Sequence, residues 1–183
     1  IENMLQQQYP TLNSHVFEKM QATIEEARIN CDSVGGMIEC AILNVPAGIG
    51  NPFFDSIESH LSPLLFSIPA VKSVSFGLGE KITELYGHEA NDCYYYDDEK
   101  VKTKTNHNGG ITGGISNGMP IIFRVGIKPT PSISQVQQTV NIKTKENTEL
   151  EIIGRHDPCI VPRAVVVVES MAALGILDMM KDI

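Results

Sequence analysis

Helix-like and strand-like periodicities alternate along this chain, each bounded by glycine or proline, and that alternation restricts its fold more than any other feature. Phe17, Met20, Ile24 and Ala27 step by three and four, the spacing of one helical face. They predict a helix from Ser14 to Ile29, capped by Asn13 or Ser14. A long strand follows over residues 34–45, with Gly35 and Gly36 near its start marking a bulge or a close backbone approach. Pro46 to Pro52 is a turn-rich loop. A second helix is expected from about Phe53 to Phe66, with Phe54, Ile57, Leu61, Leu64 and Leu65 as its buried stripe. Val71 to Phe76 reads as a strand. Residues 77–108 are polar and irregular, with Tyr94-Tyr95-Tyr96 as an edge strand or surface hairpin. Met119 to Ile127 is a strand that the two prolines of Lys128-Pro129-Thr130-Pro131 bring to an end. A further strand spans Thr148 to Ile153. The last element is a long helix starting near Pro162, with Val166, Val167, Met171, Leu174 and Leu177 as its apolar face. Such a chain is α/β or α+β. No repeat or low-complexity linker divides residues 1–183, which read as a single domain or a fragment of one.

Composition narrows the class. Hydrophobic residues make up 42% of the 183 positions and charged residues 20%, so a core can form. The formal net charge of -8 argues against general nucleic-acid binding. Cys31, Cys40, Cys93 and Cys159 show no zinc-site spacing and are too sparse for a disulfide framework, so free thiols in a reducing cytoplasm are expected. No apolar run approaches the roughly 20 residues of a membrane span, and no signal peptide is visible. The chain opens on Ile1 rather than Met, which points to a fragment or a processed chain.

Three segments can carry chemistry. In Asn108-Gly109-Gly110-Ile111-Thr112-Gly113-Gly114-Ile115-Ser116-Asn117-Gly118, glycines allow positive φ and let a ligand approach main-chain N–H groups. The stretch is neither a P-loop nor a dinucleotide fingerprint. Composition alone favours a turn between strands. Lys128-Pro129-Thr130-Pro131-Ser132-Ile133 combines a cation, two hydroxyls and a stiff backbone. That set suits a phosphate, or equally a proline-stiffened loop with a solvated lysine. In Gly154-Arg155-His156-Asp157-Pro158, Arg155 can grip an anionic oxygen and Asp157 can act as a base. For an arbitrary sequence a surface salt-bridged turn is the simpler account. Arg163 extends the positive surface or sits on the wet side of the last helix. Asn91-Asp92 reads as a turn former, Glu39 as a solvent-facing alternation, and the histidines at 60, 88 and 107 have no metal partners at ligand spacing.

Taken in order, these segments resemble the chorismate synthase family, specifically its C-terminal half. The resemblance runs from about Asp32 to Asp178. It is carried by Asp32-Ser33-Val34-Gly35-Gly36, the loop from Pro46 to Asp55, and Ser67-Ile68-Pro69-Ala70-Val71-Lys72. The glycine-rich stretch, the Lys128-to-Ile133 run, and Gly154-Arg155-His156-Asp157-Pro158-Cys159 with Pro162-Arg163-Ala164 complete it. The resemblance implies a β-α-β sandwich. It implies a carbon–oxygen lyase of the shikimate pathway of aromatic amino acid biosynthesis, a cytoplasmic homotetramer at full length. Its reaction is a 1,4-anti elimination of phosphate from 5-enolpyruvylshikimate 3-phosphate to give chorismate. Reduced FMN is required without net redox change, NADPH entering only as a source of reducing equivalents. FMN-contacting positions would be Pro69, Ala70, Gly113, Lys128, Pro129, Thr130, Pro131, Ser132 and Arg155. Arg155 would also lie near the substrate's anionic groups, and Asp157 matches the aspartate implicated in proton removal. Nucleic acid, membrane and metal have no part in this reading. The family's N-terminal half supplies two catalytic histidines and most of the arginines around the substrate phosphate, so this chain alone is expected to be inactive. Leu78-Gly79-Glu80-Lys81 stands where the family usually shows Gly-Asp-Gly-Phe. The alternative is an inert flavin- or phosphate-binding module, or an assembly fragment.

Overall fold

A computed structural model of the chain describes residues 10–182. Helix α1 covers Ser14–Ile29, and the Asn13 side chain accepts from the amides of His15 and Val16, as an N-cap asparagine should. The helix ends in a Schellman arrangement. Asp32 N–H donates to the Ala27 carbonyl (2.9 Å) and Cys31 N–H to that of Arg28 (3.2 Å). Cys31 takes the left-handed position at φ 55, where glycine or asparagine is usual.

Strand β1 is Gly36–Ile42, shorter than the periodicity predicted because Asn44 turns the chain at φ 61. Helix α2 is Ile57–Phe66, four residues later than expected. Ser56 supplies the cap, accepting from Ser59 N–H at 3.1 Å. Paired bonds between Asn51 and Asp55 close the preceding loop and leave Phe53 and Phe54 outside. Phe54 is therefore 88% exposed and not part of the buried stripe, which consists of Ile57, Leu61 and Leu65. Strand β2 is Val71–Phe76 as predicted. A 3-10 turn (Gly79–Glu84) and a single helical turn, α3 (Gly87–Ala90), lead to the exposed hairpin β3 (Tyr94–Asp97) and β4 (Lys100–Thr103). The glycine-rich stretch holds the short pair β5 (Ile111–Thr112) and β6 (Ile115–Ser116). Strand β7 is Ile121–Ile127, and its alternate residues Ile121, Phe123, Val125 and Ile127 are buried.

The main sheet has the order β1-β7-β2, with β2 antiparallel to β7. Arg124 on the central strand ties its two neighbours together. Its Nη1 donates to the Gly77 carbonyl just past β2, and its Nη2 pairs with Glu39 of β1. Glu39 faces solvent, as the alternation suggests, and is also half of an ion pair. Strands β8 (Gln137–Asn141) and β9 (Glu146–Leu150) form an exposed polar hairpin. The sequence predicted a strand slightly later, at 148–153, and gave no sign of its partner.

Helix α4 spans Val161–Met179. Its buried face is Val161, Val168, Ala172 and Ile176, while Val166, Val167, Leu174 and Leu177 are exposed. The expected face followed Val166, Val167 and the two leucines; the buried side is instead the one that carries Ala172 and Gly175. A Cβ at Gly175 would lie 2.6 Å from Leu61 and 2.9 Å from Leu64, so α4 meets α2 where its side chains vanish. Phe54, Pro63, Leu64, Leu174 and Leu177 line an open groove of about 450 Å³, at whose rim His60 Nε2 lies 3.5 Å from Asp178 Oδ2.

The chain divides into two units: residues 10–36 with Lys128–Ala164, and Met37–Ile127 with residues 165–182. No helix among the described residues is long and apolar enough to cross a membrane. Cys31 and Cys93 are exposed, Cys40 half-buried and Cys159 buried. Burial, helped by the Glu169 charge, pushes the Cys40 thiol up to about 11. Burial pushes the Cys159 thiol up as well. Only the thiolate reacts, so at pH 8 Cys40 presents roughly one reactive form in 10³. Iodoacetamide at that pH is expected to modify Cys31 and Cys93 in the folded chain and to reach Cys40 and Cys159 only after unfolding. Peptide mapping that found four equal rates would contradict this burial pattern.

Candidate active site

Two of the three candidate loops lie in the smaller unit, and residues 33–34 tie them together. The Ser33 hydroxyl donates to the Thr130 carbonyl at 2.6 Å. The next amide, Val34 N–H, donates to the Pro158 carbonyl at 2.8 Å. The sequence motif Asp32-Ser33-Val34 therefore fixes the Lys128-to-Ser132 run relative to the Arg155-to-Asp157 loop. The latter is anchored at its base, where the Ile152 carbonyl meets Ser134 Oγ (3.1 Å) and His156 Nε2 (2.9 Å).

The second loop opens onto a cleft of about 600 Å³ lined by Arg28, Cys31, Asp32, Arg155, Asp157 and Arg163, among others. Three guanidiniums face one cleft in a chain whose net charge is -8. They are not equivalent. Arg28 is engaged by Glu25 through two bonds, at 2.8 and 2.5 Å. Arg163 pairs with Asp157 Oδ2 at 3.3 Å. Arg155 has no hydrogen bond or ion pair among the described residues, so it is the cation available to an incoming anion. Asp157 Oδ1 accepts from Cys159 N–H at 3.2 Å, while Oδ2 is buried and makes no hydrogen bond among the described residues.

In the proline-rich run, Lys128 is exposed and makes no ion pair among the described residues. The Thr130 hydroxyl is buried without a hydrogen-bond partner among the described residues. A buried hydroxyl without a partner costs free energy unless a ligand or water satisfies it. Pro129 and Pro131 are exposed, and Ser132 is half-buried. None of the five lines the arginine cleft.

Pro69, Ala70 and Gly113 belong to the larger unit. Ala70 sits at φ 72 in the turn before β2. Gly113 has open space where a Cβ would be, unlike its neighbours. The other glycines serve backbone crossings. At Gly77 and Gly109 the two main chains pass so closely that a Cβ on either would strike the opposite backbone. The simple turn reading thus accounts for most of the glycine-rich stretch.

That stretch is held by a residue the sequence disguised as a turn former. Asp92 is buried, and its carboxylate accepts four bonds: from Thr105 Oγ1 (2.6 Å), His107 N–H (2.7 Å), Asn108 N–H (2.9 Å) and Asn108 Nδ2 (2.9 Å). Burial pushes its pKa up, but the hydrogen bonds outweigh burial and hold the carboxyl below its ordinary value.

The fold and cleft define an α+β protein with an arginine-lined cleft next to a carboxylate. The family profile described as Chorismate synthase matches residues 1–181. The chorismate synthase of Methanocaldococcus jannaschii is 51% identical over 172 residues, covering 93% of this chain and 45% of that protein. That of Korarchaeum cryptofilum is 51% identical over 166 residues, covering 91% and 46%. A solved structure titled "Crystal Structure of Chorismate Synthase" superposes with a TM-score of 0.72 at 29% identity, covering 90% of this chain and 42% of that one. The chain belongs to the chorismate synthase family, and it spans about half the length of the curated relatives it matches.

Proposed function

We propose that this chain provides part of the active site of a chorismate synthase, a carbon–oxygen lyase that forms chorismate from 5-enolpyruvylshikimate 3-phosphate. Asp157 accepts the proton leaving C6, the C3–O bond breaks, and phosphate departs with the bonding electrons. The pair left by the proton forms a C6=C1 double bond as the ring's C1=C2 pair moves to C2=C3, with no net oxidation. Arg155, the cleft's unpaired guanidinium, takes the substrate's anionic group. Bound reduced FMN would lend electron density to the breaking bond and recover it. The smaller unit suits its phosphate: Lys128 brings charge, and Thr130 and Ser132 bring hydroxyls. The observation that carries the reading is that a partnerless Arg155 and Asp157 line one cleft, on a loop tied to the run that holds the partnerless Thr130 hydroxyl. At full length we place the enzyme in the cytoplasm as a homo-oligomer.

A chain of full family length carrying this segment is expected to form chorismate from 5-enolpyruvylshikimate 3-phosphate in the presence of reduced FMN. The present chain is expected to do neither that nor bind FMN tightly. Product absorbance and a flavin fluorescence titration, with and without substrate, measure both. Turnover by this chain alone, or none by the full-length chain, overturns the proposal.

A further inference from the structure

We propose that Arg163 is the positioning residue for Asp157, fixing the plane of its carboxylate in the cleft without itself binding substrate. The proposal rests on the reading of Asp157 as the cleft's proton acceptor.

The terminal torsion of an aspartate is broad, so one contact does not fix its carboxylate. Asp157 has one hydrogen bond, the 3.2 Å contact from Cys159 N–H to Oδ1, made within its own turn. The second anchor is Arg163 Nη2, 3.3 Å from Oδ2. Held from both ends, the carboxylate has one orientation and still keeps free lone pairs, since two oxygens offer about four.

The guanidinium is itself well placed to act as a fixed post. Arg163 N–H and Ala164 N–H both donate to the Ile160 carbonyl at 3.1 Å, seating Arg163 in the first turn of α4. The six-residue path from Asp157 contains Pro158 and Pro162, each with φ locked near helical or extended values. Arg28 and Arg155 differ from it. Arg28 is spent on Glu25, and Arg155 has no partner to position.

The Arg163 side chain is 82% exposed. With its guanidinium side in water the pair is screened and contributes about 0–1 kcal/mol to stability, although Asp157 Oδ2 itself is buried. A purely structural role would therefore be nearly silent, and a functional one would show in rate alone.

The test uses the full-length chain carrying this segment. Arg163→Ala is expected to lower kcat by about 10²-fold, the scale of a misplaced reacting group, with KM and the melting temperature unchanged. Arg163→Lys should recover part of the loss, and added guanidinium should restore Arg163→Ala, because the vacated site is open to solvent. In an Asp157→Asn background, Arg163→Ala should cost nothing more. An unchanged kcat, a raised KM with intact kcat, or a fall in melting temperature that matches the loss in rate would each overturn the proposal. Full turnover by Asp157→Asn alone would overturn the functional reading, and this inference with it.

Discussion

Asp157→Asn in the full-length enzyme is expected to lower turnover by roughly 10²–10⁴-fold, the range for loss of a general base, while flavin binding persists. Asparagine matches aspartate in shape and keeps an oxygen for Cys159 N–H, so the turn should survive. The carboxylate's charge and its basic lone pairs are lost. The pair with Arg163 is lost as well, but that partner is 82% exposed and its contribution to folding is small. The loss should therefore appear in kcat under saturating reduced FMN, with the flavin titration and the melting curve unmoved. If flavin binding disappears and no separate rate effect remains, the loop belongs to a binding module, and the assignment of Asp157 is wrong.

The second large effect is on stability. Asp92→Ala should destabilise the chain by about 3 kcal/mol or more, because the amides of the half-buried His107 and Asn108 would lose their buried acceptor together. For a chain of this size that corresponds to a melting temperature lower by roughly 6–12 °C. Asp92→Asn should not rescue it. Oδ1 and Oδ2 each accept two bonds, so an amide nitrogen at either place would face donors. The effect carries a pH signature. The folded carboxyl titrates below its ordinary value. Its contribution is therefore complete above the unfolded pKa of about 3.9 and fades as pH falls through the folded one. Thermal unfolding of the two chains should converge in acid. A constant gap from neutral pH down through the acid limb would show that the carboxylate's charge is not what stabilises the loop.

The elements legible in the sequence were those with a local cause. Asn13 capped α1 where its side chain suggested, and β2 ran over the predicted residues, because both signals lie within the segment. The start of α2 was misjudged because Phe53 and Phe54 look like core. The bridge between Asn51 and Asp55 that expels them is visible only once the loop closes. The face of α4 was misjudged because its valine run is apolar nearly all round, and what selects the buried side is the fit of Gly175 against leucines of another helix. The β8–β9 hairpin lacks hydrophobic alternation altogether, so its partner strand left no trace. Of the site, the residue types were readable. Their division of labour was not: that Arg28 is occupied, Arg163 paired and Arg155 unpaired depends on side-chain partners that no spacing rule encodes. Asp92 was invisible for the same reason.

The cysteine that closes α1 has a practical consequence. Cys31 stands in a position glycine would ordinarily fill, exposed and on the wall of the arginine cleft. A thiol-linked dye there would sense the arrival of an anion through its own emission, with no foreign residue introduced. Cys93, exposed but in the other unit, would carry the same dye as an internal reference. The sequence thus already holds an optical handle on the cleft.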